Sequence, residues 1–409
     1  MTTAVRTKYD VGGIMLDRPF KIRRLGHFGF NVVNMNEARR FYIDLLGFKI
    51  SDVADFFTSR LTDEQKGQLK GDARGYFTRY GGDHHAFVLF NKQVMDMLSG
   101  GGRRPDVTIN QITWQVGSLG EVGDAAKWLN ERGEKLQRVG RDMPGSNWHS
   151  YVYDPDGHTN ELYYGIEQVG WEGYSKPRSM YDRGFREAPA LPQINEFQEV
   201  QDALAKGLDL HEGYRHVDDL PAKYDVQGVL LPRPFKITRI GPVKLFVDDL
   251  ATSEAYYRDA LGFEVTEETS WHGHRGVFLR ANTEHHSLGL FPMTMRKELG
   301  MSEHTTNMSF GVQLATYRQL KDAVDFLREN GVRVETNVPS ELHPGMDYVA
   351  HAFDPDGHCI ELYYYMEQVG WDGKPRPASQ RRDTTGAWPD TLEPVSDTYH
   401  GEPYLGPWG

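Results

Sequence analysis

A hairpin that occurs twice is the sequence feature that most constrains how this chain can fold. Residues 151–171 read YVYDPDGHTNELYYGIEQVGW, and residues 351–371 read HAFDPDGHCIELYYYMEQVGW. In both copies Asp and Pro start a turn and Gly supplies the positive φ of a tight turn, which predicts a strand on either side. The second strand carries Glu161 or Glu361 among aromatic residues. An unpaired buried carboxylate is costly, so both glutamates need a stabilising partner.

The repetition extends over most of the chain. The segment YDVGGIMLDRPFKIRRLG, which starts at Tyr9, is matched by YDVQGVLLPRPFKITRIG, which starts at Tyr224. Self-similarity on this scale indicates a duplicated structural unit. We therefore predict an N-terminal domain at 1–175, a linker with a helix at 176–223, a C-terminal domain at 224–375 and an irregular C-terminal arm at 376–409.

The linker contains the segment INEFQEVQDALAKGLDL. Its apolar residues recur with helical spacing, which predicts a helix whose apolar face packs on a domain. The residues of this predicted face are Ile194, Phe197, Val200 and Leu204.

Each copy divides again into two similar modules. The first module begins with the alternating strand RLGHFGFNVV, continues with NMNEARRFYIDLLGF as an Asn-initiated helix closed by Gly47, and ends in further strands. The second module repeats this order from NQITWQV to the hairpin, and the other copy contains both modules again. The sequence thus predicts an α+β fold of four βαβββ modules, in which two curved half-barrel sheets face each other around a cleft.

Composition excludes several classes of function. The formal charge of −12 argues against a nucleic-acid partner, because such binding relies on Lys and Arg neutralising phosphates. The single cysteine, Cys359, excludes an internal disulfide, and no apolar run has the length of a membrane helix. We therefore expect a cytoplasmic protein without a membrane partner. Phosphate-binding loops and the motifs of zinc proteases and serine hydrolases are absent from the sequence.

The module pattern and the hairpin DPDGHxxELYY resemble the vicinal oxygen chelate superfamily, also known for its glyoxalase-dioxygenase fold. The four-module length is similar to that of type I extradiol ring-cleavage dioxygenases. This resemblance implies Fe(II), held by two histidines and one carboxylate, with positions left for a catecholate and O2. In the family one histidine opens the first strand of a module, the second opens the first strand of the partner module, and the glutamate follows the turn.

Carried over residue by residue, the resemblance assigns His27, Gln111 and Glu161 as metal ligands of the first half. Gln111 takes the middle position, where the family has histidine, and its amide oxygen can bind a hard divalent ion. The second half offers Pro242 at the opening position, Asn307 at the middle position and Glu361 after the turn. We interpret Glu361 as paired with a local donor such as Lys244. A ligand set across the copies, made of His27, Asn307 and Glu361, is the alternative.

Further residues lie at or near positions where the family has acid–base groups. Adjacent strand residues point to opposite faces, so only one histidine of each pair, 84–85 and 285–286, can face the cleft, and the match favours the first. Asp142 takes the place of His343 in the first copy, and the turn residues His158 and His358 are expected to belong to the hairpin. The candidate catalytic residues are His84, His285, His343, His351 and Tyr151.

The resemblance implies a ring-cleaving dioxygenase that uses Fe(II) and O2 on a small, catechol-like or polyhydroxylated aromatic substrate. A cleft histidine would move protons, since imidazole titrates near neutral pH. One alternative is an isomerase, lyase or glyoxalase-like enzyme of the superfamily with another divalent metal or none. A second alternative is a non-enzymatic protein that binds an aromatic compound. We also expect a homo-oligomer, of a size that the sequence does not define.

Overall fold

Each half of the chain begins with a short antiparallel hairpin and continues into a mixed sheet. The computed structural model describes residues 7–55, 58–100, 104–141, 145, 147–180, 192–369, 372–384 and 386–392. In the first half the strands are β1 Tyr9–Val11, β2 Ile14–Leu16, β3 Arg24–Val32, β4 Lys49–Ala54, β5 Gly75–Arg79, β6 Phe87–Asn91, β7 Ile109–Gln115, β8 Leu136–Arg141, β9 Trp148–Tyr153 and β10 Thr159–Tyr164. Its helices are α1 Met35–Arg39, α2 Asp63–Gly67, α3 Lys92–Ser99 and α4 Leu119–Glu131.

The second half repeats this series after a connecting helix, α5 Glu196–Ala205. Its strands are β11 Tyr224–Val226, β12 Val229–Leu231, β13 Ile237–Val247, β14 Glu264–Trp271, β15 His274–Arg280, β16 Leu288–Pro292, β17 Asn307–Leu314, β18 Val334–Glu335, β19 Val349–Phe353 and β20 Cys359–Tyr363. Its helices are α6 Leu250–Ala255, α7 Met295–Glu298 and α8 Tyr317–Glu329.

The two large sheets have the same topology. The strand orders are β4-β5-β6-β3-β7-β10-β9-β8 and β14-β15-β16-β13-β17-β20-β19-β18. Within each module the first strand pairs in parallel with the last, and the two modules of a sheet join through the antiparallel pairs β3–β7 and β13–β17. The predicted α+β fold of four βαβββ modules is therefore confirmed.

The first helix of each sheet starts and ends as the sequence pattern indicates. The Asn34 side chain accepts a hydrogen bond from the backbone N–H of Glu37 and so caps α1, and Asp249 caps α6 in the same way. Both helices continue as a π-helix, over Arg40–Leu45 and Tyr256–Leu261. The chain then turns at Gly47 and Gly262, with φ of 90° and 86°, a conformation that favours glycine.

One face of each sheet contributes to a common core between the two halves. Side chains alternate along a strand, so Phe28 of β3 and Phe310 of β17 point away from Glu161 and Glu361 and into this core. The rings of Phe28 and Phe310 stack, with centroids 4.4 Å apart. The opposite face of each sheet, called here the inner face, carries Glu161 or Glu361.

The two DPDGH turns hold the halves together by reciprocal contacts. His158 Nδ1 lies 2.8 Å from Asp154 Oδ2, and His158 Nε2 lies 2.8 Å from Thr306 Oγ1 of the other half. His358 makes the matching contacts with Asp354, at 2.9 Å, and with Thr108 of the first half, at 2.9 Å. These Asp-His-Thr chains have the connectivity of a catalytic triad, but their residues are buried between the halves and therefore stabilise the fold.

The structure contradicts the predicted packing of the linker helix. The helix is present, but Ile194, Phe197 and Leu204 are 47%, 72% and 51% exposed. The side that packs inward instead carries Glu199 and Ala203. Glu199 is buried because it pairs with Lys176, whose Nζ lies 3.1 Å away. A buried ion pair, rather than an apolar stripe, thus fixes how this helix is oriented.

The described part of the C-terminal arm is irregular apart from a short 3-10 turn at Ala378–Gln380. It lies on the second half, where Trp388 packs against Tyr317 and Tyr348. Residues 393–409 of the predicted arm lie outside the described part of the chain. None of the helices in the described ranges combines the length and the apolar character needed to cross a membrane.

Candidate functional site

Three neighbouring strands bring the predicted ligands of the first half together on the inner face. Glu161 of β10 is opposite Thr113 of β7, and Thr113 is opposite His27 of β3. Period-two alternation then places Gln111 on the same face as Thr113. His27, Thr113 and Glu161 are completely buried.

One oxygen of Glu161 is the point where these side chains converge. Oε2 lies 3.1 Å from His27 Nε2, and it accepts hydrogen bonds from Gln111 Nε2 at 3.1 Å and from Thr113 Oγ1 at 2.9 Å. His27 Nδ1 is buried and has no hydrogen-bond partner among the described residues. The structure therefore brings the three predicted side chains together around one carboxylate oxygen, with Gln111 between the other two strands' residues.

The other oxygen of Glu161 is held by two residues that the sequence analysis did not single out as candidates. Asn147 Nδ2 donates to Oε1 at 3.0 Å, and His149 Nδ1 lies 2.9 Å from Asn147 Oδ1. His149 Nδ1 is also 3.6 Å from Glu161 Oε1. Two-residue alternation with Tyr151 along β9 was the sequence signal that could have placed His149 on the inner face. Tyr151 is also on this face, opposite Glu161 and in ring contact with His149.

Glu161 is ionised despite its burial. Burial alone would raise the pKa of this carboxyl, but His27, His149 and the Thr113 hydroxyl favour the charged form and lower its pKa to about 2. None of the described residues that contact Glu161 is Lys or Arg. The first sheet therefore has a buried negative charge whose contacts are imidazoles, amides and a hydroxyl.

The structure corrects the choice of histidine in the first histidine pair. The ring of His85, not of His84, faces His27, with centroids 4.5 Å apart. His84 points to the sheet edge, where its Nε2 lies 3.4 Å from Asp52 Oδ2. Burial, His27 and His84 keep the pKa of His85 well below its usual range. His85 is therefore neutral at neutral pH and replaces His84 as the acid–base candidate of the first sheet.

In the second histidine pair it is again the second residue that faces inward. His285 Nε2 lies 3.0 Å from Glu267 Oε2 at the sheet edge, so His285 does not face the inner site as predicted. His286 turns inward, and burial together with Lys244 and His285 keeps its pKa well below the usual range. His343 is also buried, and its two ring nitrogens lie 3.3 Å from the Met346 carbonyl oxygen and 3.2 Å from that of Val338. Burial, followed by Lys244, lowers the pKa of His343 to about 4.

The centre of the second sheet is an ion pair. Lys244 Nζ donates to Glu361 Oε1 at 2.7 Å, to Glu361 Oε2 at 2.6 Å and to the Leu342 carbonyl at 2.7 Å. His351 Nε2 lies 3.2 Å from Glu361 Oε2. Burial would raise the pKa of Glu361, but Lys244 and His351 lower it to about 2. Burial lowers the pKa of Lys244 while Glu361 opposes this shift, and the charged pair is favoured because a neutral lysine would leave Glu361 without a counter-ion.

Strand register corrects the second-half counterpart of Gln111. Gln111 is opposite Gly29, and the residue opposite the equivalent Lys244 is Ser309, not Asn307. Asn307 instead donates to the Cys359 carbonyl at 3.3 Å. The alternative ligand set of His27, Asn307 and Glu361 does not form, because His27 contacts Glu161 and Glu361 contacts Lys244. Asp142, the predicted counterpart of His343, lies outside the described residues.

Within the described ranges no group of three or more His, Cys, Asp and Glu side chains is placed to hold a metal ion. Glutamine is not one of these four residue types, so Gln111 is an additional possible donor. A metal in the first sheet would therefore need the Gln111 amide beside the two stronger ligands, His27 and Glu161.

Comparison with known proteins identifies the family. The chain is 28% identical to metapyrocatechase 2 of Cupriavidus necator over 138 residues, a region that spans only 33% of this chain and 34% of that protein. The fold is similar to that of the Mn(II)-bound glyoxalase from Novosphingobium aromaticivorans, with a TM-score of 0.52, 14% identity, and coverage of 86% of this chain and 85% of that one. It is also similar to the 2,3-dioxygenase LapB from Pseudomonas sp. KL28, with a TM-score of 0.54, 17% identity, and coverage of 87% and 96%.

The family model named Glyoxalase/Bleomycin resistance protein/Dioxygenase superfamily matches residues 24–162 and 239–362. These two ranges contain the two eight-stranded sheets almost from end to end. The chain belongs to the glyoxalase/bleomycin resistance protein/dioxygenase superfamily, which is the vicinal oxygen chelate superfamily that the module pattern resembles.

Proposed function

We propose that this protein is an extradiol-type ring-cleavage dioxygenase whose first sheet binds one Fe(II) ion through His27, Glu161 and Gln111. The observation that supports this most is the buried Glu161 carboxylate, with His27 Nε2 and the Gln111 amide both 3.1 Å from the same oxygen. The substrate class is a catechol-like or polyhydroxylated aromatic compound that reacts with O2. The names of the similar proteins, a metapyrocatechase and a 2,3-dioxygenase, support this class of reaction.

The residues of the first sheet fit a divalent cation. An imidazole, a carboxylate and an amide oxygen are donors that iron and manganese accept. The Gln111 amide donates through nitrogen as placed, and a half-turn of its terminal group presents the oxygen instead. None of the described contacts of Glu161 is Lys or Arg, so a bound cation would give this buried carboxylate a permanently charged partner.

The chain's own residues then orient and protect the site. Asn147 holds Oε1 of Glu161 by a 3.0 Å hydrogen bond, and Thr113 holds Oε2, so the carboxylate cannot rotate freely. When bound, the metal would draw adjacent substrate oxygens together and lower the pKa of a substrate hydroxyl. The burial of His27 and Glu161 excludes bulk water from this chemistry.

Proton transfer falls to His85. Its Nδ1 lies 3.1 Å from His84 Nδ1, and in the tautomer in which His85 Nδ1–H donates to His84, Nε2 is the atom that can accept a proton from a substrate hydroxyl. The neutral form of the imidazole is the one that can accept a proton, and burial, which lowers the pKa of His85, favours this form. Tyr151 lies on the same face, and we assign it a hydrogen bond to the substrate. His343 and His351 belong to the second sheet and have no part in this site.

A second candidate function follows from Gln111. The amide takes the position where the extradiol ligand set has its second histidine, so the donors of the first sheet depart from that set. A glyoxalase-like isomerase or lyase with Mn(II) or another divalent ion is therefore the alternative, and the similar fold of a Mn(II)-bound glyoxalase supports it.

Metal analysis and an activity screen distinguish these functions. Protein purified without oxygen is analysed for bound metal, reconstituted with Fe(II) or Mn(II), and assayed for O2 uptake on catechols. One iron per chain, with O2 uptake that is lost together with the metal in His27→Ala, supports the dioxygenase. Turnover of an α-ketoaldehyde–thiol adduct without O2 uptake supports the glyoxalase-like enzyme. Wild-type protein that binds no divalent ion and turns over neither substrate contradicts both.

A further inference from the structure

We infer that the second sheet carries an internal cation: the Lys244 ammonium takes the place of the divalent ion in the first sheet, so the second half binds no metal. This inference rests on the metal site proposed for the first sheet. It assigns a distinct role to a residue that has no counterpart among the family ligand positions. It also predicts how many metal ions the whole chain binds.

Strand register places Lys244 at a defined position relative to the first site. Gly29 of β3 is opposite Val88 of β6 and Gln111 of β7. Lys244 of β13 is opposite Gly289 of β16 and Ser309 of β17. Because the two sheets have the same strand order, Lys244 stands where the first sheet has Gly29. Its ammonium contacts Glu361 on the second inner face, at the position equivalent to that of the predicted ligands on the first inner face.

The position of the small residue differs between the two sheets: the first has glycine on β3 opposite valine on β6, and the second has lysine on β13 opposite glycine on β16. A Cβ atom built on Gly29 would lie 2.3 Å from Val88 Cγ2, so no side chain fits there in the first sheet. In the second sheet the small residue is on the other strand, and a Cβ on Gly289 would lie 2.9 Å from Lys244 Cγ. The lysine stem therefore has space only in the second sheet.

The ammonium occupies the space and the oxygen atoms that a metal ion would need. Its three protons go to both oxygens of Glu361 and to the Leu342 carbonyl. Pro242 replaces His27 at the opening position and offers no donor, and Ser309 offers only a hydroxyl in place of the Gln111 amide. The residues of the second sheet do not fit a divalent ion while Lys244 is present.

The second inner face is also packed as an apolar core. A buried cluster fills it, and Leu342 of this cluster supplies the carbonyl that accepts from Lys244. The cluster consists of Phe246, Phe278, Phe291, Met295, Met308 and Leu342. The described counterpart in the first sheet is smaller, with Ala54, Phe77, Val88 and Phe90. Because its charge is compensated internally and its inner face is filled by apolar side chains, the second half has a structural role and no metal site.

The test replaces the internal cation and then offers an external one. Lys244→Gly installs the residue of the first sheet and leaves Glu361 with His351. Without added metal we expect the melting temperature to fall by about 5–10 °C, because a buried carboxylate loses its counter-ion. Adding Mn2+ is expected to recover at least half of this loss. The Mn2+-dependent shift of the wild-type protein is subtracted, which removes the contribution of the first sheet.

The matched control is the double variant Lys244→Gly/Glu361→Gln. It removes both charges, so it should melt above Lys244→Gly without metal and show no more Mn2+ stabilisation than wild type. A Mn2+ shift in Lys244→Gly equal to that of wild type would overturn the inference. So would a Lys244→Gly protein that stays unfolded with Mn2+ while the double variant folds, or a second Mn2+ in wild type that Glu361→Gln removes.

The failure of the proposed function has a different outcome. The metal site of the first sheet would be contradicted if the wild-type protein bound no Mn2+ while the Lys244→Gly variant gained a Mn2+ site that depends on Glu361. The role of Lys244 as the internal cation would still be supported by that result.

Discussion

Replacing each buried glutamate with glutamine separates the roles of the two sheets. Glu361→Gln leaves the Lys244 ammonium fully buried without its carboxylate partner. Breaking a buried ion pair costs about 3–5 kcal/mol. We therefore expect Glu361→Gln to lower the free energy of unfolding by about 3–5 kcal/mol.

Glu161→Gln removes a carboxylate that contacts no lysine or arginine among the described residues. The amide oxygen can still accept from Thr113, but the amide nitrogen cannot accept from Asn147, so metal-free protein should lose about 1–3 kcal/mol of stability, less than Glu361→Gln. Its Mn2+ affinity should fall by more than about 100-fold, because a ligand is lost rather than a residue that supports one. Urea denaturation without metal measures the stability, and titration calorimetry with Mn2+ measures the affinity.

The pH dependence gives an independent check on the second sheet. A carboxyl with a lowered pKa stabilises the folded state above its unfolded pKa, near 4.5, and this contribution is lost as the pH falls toward about 2. The stability difference between wild type and Glu361→Gln should therefore be largest at neutral pH and shrink between pH 4.5 and 2. Equal stability losses in Glu161→Gln and Glu361→Gln, or loss of Mn2+ binding in Glu361→Gln alone, would refute the assignment of the two sheets.

Three further substitutions test the surroundings of these centres. His149→Val, which installs the second-sheet residue, should weaken Mn2+ binding about 10–100-fold through loss of the Asn147 contact, and unchanged affinity in calorimetry would contradict this. His85→Gln should lower kcat on a catechol about 10²–10⁴-fold at unchanged metal content, whereas metal loss would indicate a structural role. His158→Gln should cost about 1–3 kcal/mol in urea denaturation. Burial lowers the pKa of His158, but Asp154 outweighs burial and raises the pKa above 6.5. The stability cost of His158→Gln should therefore be full below pH 6.5 and decline as the pH rises through the folded pKa. A cost that grows with pH would contradict the role of His158 in joining the two halves.

The fold could be predicted from the sequence because its signals are local. Strand alternation, the capped helix that ends at Gly47 and the DPDG turn each depend on neighbouring residues, and their repetition gives the module count. The placement of Glu161 at a fixed offset after the turn also depended only on local geometry. His27 and Gln111 followed because the module order determines which strands are neighbours.

The errors arose where the answer depends on contacts between distant segments. Both copies have the same register shift, after Gly29 and after Lys244, so the counterpart of Gln111 is defined by strand pairing and is Ser309 rather than Asn307, the first residue of β17. The choice between His84 and His85 depends on the phase of the short segment before β6. The buried Glu199 of the linker helix depends on Lys176, which lies in an irregular segment that shows no periodicity.

The two copies differ most where the structure leaves them free to differ. The turn residues His158 and His358 bind the opposite half through equivalent contacts, so a change in one copy would weaken the interface shared by both. Among the described residues the inner faces make no such reciprocal contact, so Lys244 opposite Gly289 in one copy leaves the other copy undisturbed. Once Lys244 was buried, losing Glu361 would leave the ammonium unpaired. The second glutamate is therefore retained for stability, although its sheet has no histidine at the position of His27.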